Sequence, residues 1–163
     1  MDIYILRHGE AGKTLPMGGL DAERPLTSTG RKEVGEVCGR LDALGLKLDR
    51  IATSPLKRSK ETAEIAGKTF KVEVEEWAEL KPEANREDLV KKLSRIRRDS
   101  SVLLVGHEPF LSSFVAEAVG AGPEAKILLK KSGLARISVT SFTPKMTGEL
   151  RWLLSPRIIK RLR

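Results

Sequence analysis

Along the first 120 residues the apolar positions fall into two recurring patterns, short unbroken runs and stripes spaced by three and four. Ile3, Tyr4, Ile5 and Leu6 make a run of mostly β-favouring side chains, which predicts a buried strand almost at the first residue. Residues 49–54 and 101–106 predict two more strands, and the alternation over 71–75 predicts a half-buried one. Between them lie helical stripes. Val34, Val37, Cys38, Leu41 and Leu44 form the first, with Thr27 or Ser28 as the cap and Gly45 as the stop. A second helix is expected from Ser54-Pro55, a capping hydroxyl followed by proline, to about Thr69. Leu89, Val90, Leu93 and Ile96 mark a third over 86–98, and Phe110, Leu111, Phe114, Val115 and Ala118 a fourth opening at Pro109.

Strands alternating with helices predict an α/β fold, a three-layer α/β/α sandwich around a mixed, mostly parallel sheet. Beyond residue 120 the pattern changes. Residues 126–129, 134–140 and 149–154 are predicted as hairpin strands at one side of that sheet. The loop from Gly12 to Arg24, with Pro16 and Gly18-Gly19, lacks periodicity and is expected to overhang the strand ends.

A chain of 163 residues suits a single domain, expected over 1–155, with a solvated basic tail at 156–163. Hydrophobic residues make up 40% and aromatics only 4%, so the core should be aliphatic. The single cysteine, Cys38, excludes an intramolecular disulfide and any site built from several thiolates; its place on a helical stripe predicts a small buried hydrophobe. The opening apolar run is too short for a signal peptide or membrane span and ends in charge, so a cytoplasmic protein is expected. A net charge of +8 favours anionic partners. Nucleic acid is a poor candidate among them, because stacking aromatics are scarce and no RNA or DNA motif is present.

The chemistry sits where the apolar runs stop. Arg7 and His8 follow the first strand without a spacer, and Gly9 allows a turn and close approach of a substrate. The only other histidine, His107, follows the 101–106 run in the same way. Arg58 lies one turn inside the second helix, where its side chain leans back toward the strand ends. Two guanidiniums and two imidazoles at one sheet edge predict a seat for a phosphoryl dianion, helped by the amino end of the helix at Pro109. A neutral imidazole nitrogen attacks phosphorus well, so phosphoryl transfer through a phosphohistidine on His8 is predicted, with Arg7, Arg58 and His107 balancing charge and no metal required.

Arg7-His8-Gly9-Glu10, Leu26-Thr27-x-x-Gly30, Ser54-Pro55-Leu-x-Arg58-x-x-x-Thr62-Ala63 and Gly106-His107 together resemble the ordered motifs of the histidine phosphatase superfamily, also called phosphoglycerate-mutase-like. The Arg-His-Gly-Glu-Ala opening and Arg24-Pro25-Leu26-Thr27 look most like its short SixA-type phosphohistidine phosphatases. The resemblance implies a largely parallel α/β sandwich, His8 as the phosphorylated residue, and Arg24 bordering the pocket. Larger members carry a carboxylic acid that protonates the leaving alkoxide. Glu76, Glu79 and Glu83 are the candidates here, with Glu79 chosen. A weak or absent acid would favour phosphohistidine in a protein as substrate, since a leaving imidazole can already carry a proton. The alternatives are a small-metabolite phosphomonoesterase on the same scaffold and a non-catalytic phosphate or nucleic-acid binding module.

Overall fold

In the computed structural model, which describes residues 1–12, 20–122 and 124–163, each apolar run becomes a strand at the centre of a single sheet. The strands are β1 (Asp2–Arg7), β2 (Arg50–Thr53), β3 (Val74–Glu76), β4 (Ser101–Gly106), β5 (Leu134–Ser141) and β6 (Thr147–Leu154). Their order is β3-β2-β4-β1-β5-β6. The first four are mutually parallel, whereas β5 runs antiparallel to both β1 and β6. The predicted mixed, mostly parallel sheet is therefore observed.

Side-chain alternation in β1 divides the core in two. Ile3 and Ile5 face one layer together with Leu89, Leu93, Phe110, Leu111 and Phe114, from the helices α3 (Arg86–Ser94) and α4 (Phe110–Ala118). Tyr4 and Leu6 face the other with Val34, Val37, Cys38, Ala63 and Ala66, from α1 (Ser28–Ala43) and α2 (Lys57–Phe70). This is the three-layer sandwich. Cys38 is buried among these aliphatic groups, and burial alone pushes its thiol up to about 12. Among the described residues no helix is long and apolar enough to cross a membrane.

Several sequence expectations need correction. Residues 126–129 form no strand; Leu129 is buried, and its carbonyl accepts a hydrogen bond from Arg7 instead of joining a ladder. The second helix starts at Lys57, not at Pro55, because Ser54 and Pro55 complete the turn out of β2, so Arg58 lies in the first turn. The third helix ends at Ser94, four residues early. Of the two cap candidates it is Thr27 that caps α1, as one of the alternatives expected, accepting from the Gly30 N–H at 2.9 Å. The basic tail is not wholly solvated: α5 (Pro156–Ile159) buries Ile159 in the α1–α2 layer, and Lys160 pairs with Glu33 on α1 at 3.2 Å. Of the loop expected to overhang the strand ends, 13–19 lie outside the described residues.

Candidate active site

Register places the two histidines side by side. In the parallel β1–β4 pair Arg7 faces Gly106, so His8 and His107 leave adjacent strands at the same level. The His8 N–H donates to the Gly106 carbonyl at 3.1 Å, and the ring centroids are 5.1 Å apart. Beyond β4, β2 ends at Thr53 opposite Val105. The chain then passes through Ser54 into α2, whose first turn returns Arg58 to the same point. The Arg58 Nε–H donates to His8 Nε2 at 3.3 Å. The structure thus gathers Arg7, His8, Arg58 and His107, as the strand-end argument requires.

The hydrogen bonds fix the His8 tautomer. Its Nδ1 lies 2.7 Å from the Gly9 carbonyl, which can only accept, so Nδ1 carries the proton and Nε2 keeps its lone pair. His8 is 7% and His107 2% exposed. Burial lowers the His8 pKa to about 4, reinforced by the charges of Arg58, Arg7 and Lys131 and opposed by the bond to Gly9. Burial, then His8 and Arg58, take His107 to about 3. Both rings are neutral near pH 7.

His107 Nε2 meets Ser54 Oγ at 2.8 Å, and Ser54 Oγ also accepts from the Leu56 N–H at 3.3 Å. Among the described residues the opposite nitrogen, His107 Nδ1, is buried without a hydrogen-bond partner, as is Arg7 Nε. Buried groups of this kind normally have partners, so these two mark where a polar ligand would be held. Arg7 itself is anchored through Nη1 to the Leu129 carbonyl at 2.9 Å.

Gly9 is required by packing as well as by its carbonyl. A Cβ there would stand 2.7 Å from Val34 Cγ2 on α1, and the Gly9 N–H donates to Thr62 Oγ1 at 3.1 Å. Arg24 reaches this region indirectly. Its guanidinium pairs with Asp21 Oδ1 at 2.7 Å and donates to the Gly12 carbonyl at 2.9 Å. Asp21, which the sequence reading missed, bridges the two arginines. Arg58 Nη2 meets its Oδ2 at 3.0 Å and Nη1 its backbone carbonyl at 2.9 Å. Burial alone would raise the Asp21 pKa, but Arg58 and Arg24 hold it below the usual carboxylate range.

Glu79 is committed elsewhere. Both its oxygens take Lys92 Nζ, at 2.9 and 3.0 Å. Burial raises its pKa but Lys92 more than reverses that, so the carboxylate is ionised near pH 7 and has no proton to give. Glu76 pairs with Lys60 at 2.5 Å.

With two histidines 5.1 Å apart at adjacent strand ends and Arg58 bonded to the first of them, the chain belongs to the histidine phosphatase superfamily. The model of branch 1 of that superfamily matches residues 3–86. An uncharacterized protein of Picosynechococcus sp. is 34% identical, over 96% of this chain and 98% of its own length. The solved protein histidine phosphatase SixA, in complex with tungstate, superposes with a TM-score of 0.85 at 25% identity, covering 98% of this chain and 99% of that one. The mitochondrial serine/threonine-protein phosphatase Pgam5 of Drosophila ananassae is 28% identical over 91% of this chain, which spans 60% of the Pgam5 length.

Proposed function

We propose that this phosphatase acts through a covalent phosphohistidine on His8 and that its substrate is phosphohistidine in a protein. The observation that carries the reading is the His8 ring, with Nδ1–H on the Gly9 carbonyl and an unprotonated Nε2 facing the Arg58 Nε–H at 3.3 Å. In the first step, on a substrate ring whose other nitrogen carries a proton, His8 Nε2 bonds to phosphorus while the bond from phosphorus to the substrate ring breaks, so that ring leaves as neutral imidazole and phosphorylated His8 keeps its Nδ1 proton on the Gly9 carbonyl. In the second, the oxygen of a water bonds to phosphorus, the bond to Nε2 breaks, and inorganic phosphate departs with the water's protons shared between it and solvent. Arg7, Arg58 and His107 donate to the phosphoryl oxygens, whose charge grows in the transition state; the unpaired Arg7 Nε and His107 Nδ1 are the donors held ready for this.

The substrate class follows from the leaving group. An alkoxide needs a proton supplied, and the favoured acid, Glu79, is ionised against Lys92. A substrate imidazole that carries a proton on its other nitrogen leaves as a neutral ring without such an acid. Likeness to SixA supports the same choice, whereas likeness to Pgam5 supports a second reading, a phosphomonoester substrate. Rapid quench with a 32P-labelled phosphohistidine protein tests both steps. Acid-labile label is expected on His8 in the wild type and none in His8→Asn, which stays folded. Label elsewhere would sink the assignment, and equal turnover of phosphoserine or sugar phosphates would favour the second reading.

A further inference from the structure

Thr62 closes the segment that begins at Ser54 and carries Arg58, and the phosphoryl-transfer steps do not use it. It lies one turn beyond Arg58 on α2 and is 0% exposed. Its hydroxyl touches the backbone of the site twice, donating to the Arg58 carbonyl at 2.7 Å and accepting from the Gly9 N–H at 3.1 Å. The first is the back-bond a threonine makes inside a helix. A hydroxyl has one proton, so with that proton committed its oxygen meets Gly9 as an acceptor. The second bond ties together positions 53 residues apart in sequence.

The Gly9 N–H is one end of the His8–Gly9 peptide. The other end, the His8 carbonyl, accepts from the Ser132 N–H at 3.3 Å, a donor shared with the Arg7 carbonyl at 3.1 Å. One planar peptide is therefore held from both sides, by α2 and by the turn that precedes β5. The next peptide carries the Gly9 carbonyl, which takes His8 Nδ1 at 2.7 Å. Glycine has the least restricted backbone of any residue, so nothing in Gly9 itself aims that carbonyl at the ring. Thr62 fixes the peptide from which it turns. The helix that bears Thr62 also brings Arg58 Nε to His8 Nε2 at 3.3 Å, so α2 acts on both nitrogens of the ring.

We infer that Thr62 is a positioning residue for the nucleophile: through the Gly9 N–H it holds the Gly9 carbonyl on His8 Nδ1 and so keeps the lone pair on Nε2, beside Arg58. The inference deepens the reading of His8 as nucleophile and rests on it. Without the hydroxyl, the Gly9 N–H is a buried donor that has lost its acceptor, which favours rotation of the peptide toward another. Nδ1–H then loses its fixed partner. The ring divides between its tautomers, and in one of them Nε2 carries the proton and cannot attack phosphorus.

The test compares wild type with Thr62→Val, which keeps the branched shape, and Thr62→Ser, which keeps the hydroxyl. The rate of His8 labelling by 32P-phosphoramidate, the KM, and the long-range proton–nitrogen correlation spectrum of the imidazoles are measured on each. The chain has two histidines, so His8→Asn assigns the signals. Thr62→Val is expected to slow labelling about tenfold with KM changed by less than about twofold, and to show His8 in both tautomers. Thr62→Ser is expected to keep the single Nδ1–H tautomer and most of the rate. A valine variant with the wild-type rate, or a slowed one whose His8 stays wholly Nδ1–H, would overturn the inference; so would a serine variant as slow as the valine one. In the wild type the Gly9 amide should exchange slowly with solvent, and rapid exchange would overturn the inference with no variant made. Absence of label on wild-type His8 would overturn the nucleophile reading itself, an outcome distinct from all of these.

Discussion

At the scale of single residues, the site is a set of side chains whose free atoms are chosen by what holds the others. His8 offers Nε2 because Gly9 takes Nδ1, and His107 offers Nδ1 because Ser54 takes Nε2. Ser54→Ala removes the only partner of His107 Nε2 among the described residues and an acceptor of the Leu56 N–H. A kcat about tenfold lower is expected, from about 1–1.5 kcal/mol per lost hydrogen bond, with circular dichroism unchanged; an undiminished kcat would show that Ser54 does not orient the ring. Asp21 acts in the opposite sense. Its carboxylate shares Arg58 with the incoming phosphoryl group, so the two negative charges compete. Because Asp21 is largely exposed, a water-like interaction of about 1 kcal/mol applies. Asp21→Asn should therefore lower the inhibition constant for inorganic phosphate about fivefold, and a raised constant would instead make Asp21 a support for Arg58. Nothing in the hydrophobic pattern or the motifs points to Asp21, an acid in an aperiodic loop. His8 and His107 were legible because an apolar run fixes where a strand ends and which residue comes next.

At the scale of elements, strands were easier to place than helix ends. Runs such as 3–6 and 102–105 are buried on both faces, and no other structure hides them so well. The start of α2 was misplaced because Ser54 hydrogen-bonds His107, a contact made only in the folded protein. The expected strand over 126–129 failed for a similar reason: Arg7 claims the Leu129 carbonyl. What sets α1 against the active-site loop is a glycine. A Cβ at Gly30 would lie 2.2 Å from the Glu10 carbonyl oxygen, whereas one at Gly35 on the same helix meets nothing within 4 Å. Gly30→Ala must push α1 away from the turn after His8, at a cost of about 2 kcal/mol or more by analogy with overpacked cores. Gly35→Ala should stabilise by about 0.5–1 kcal/mol through helix propensity. Urea unfolding of the two variants checks the contrast, and equal midpoints would show that the close approach at Gly30 relaxes freely.

At the scale of the whole molecule, holding two neutral histidines beside two arginines ties stability to pH. The folded values of about 4 for His8 and about 3 for His107 lie below the ordinary 6.5. Between those limits the unfolded chain binds more protons than the folded one, so stability rises with pH across the window. Their contribution is complete above about pH 6.5 and is lost as pH falls through the folded values. Asp2, Asp21 and Glu79 have lowered values too, and they add the same sign, but their window begins only below the ordinary carboxylate values of 3.8 to 4.5. The interval from pH 6.5 to 5 therefore isolates the imidazoles. Unfolding free energy measured by urea should fall over that interval in the wild type and fall less in His8→Asn or His107→Asn, where one buried titrating ring is gone. A decline as steep in both variants as in the wild type would place the proton uptake outside the active site.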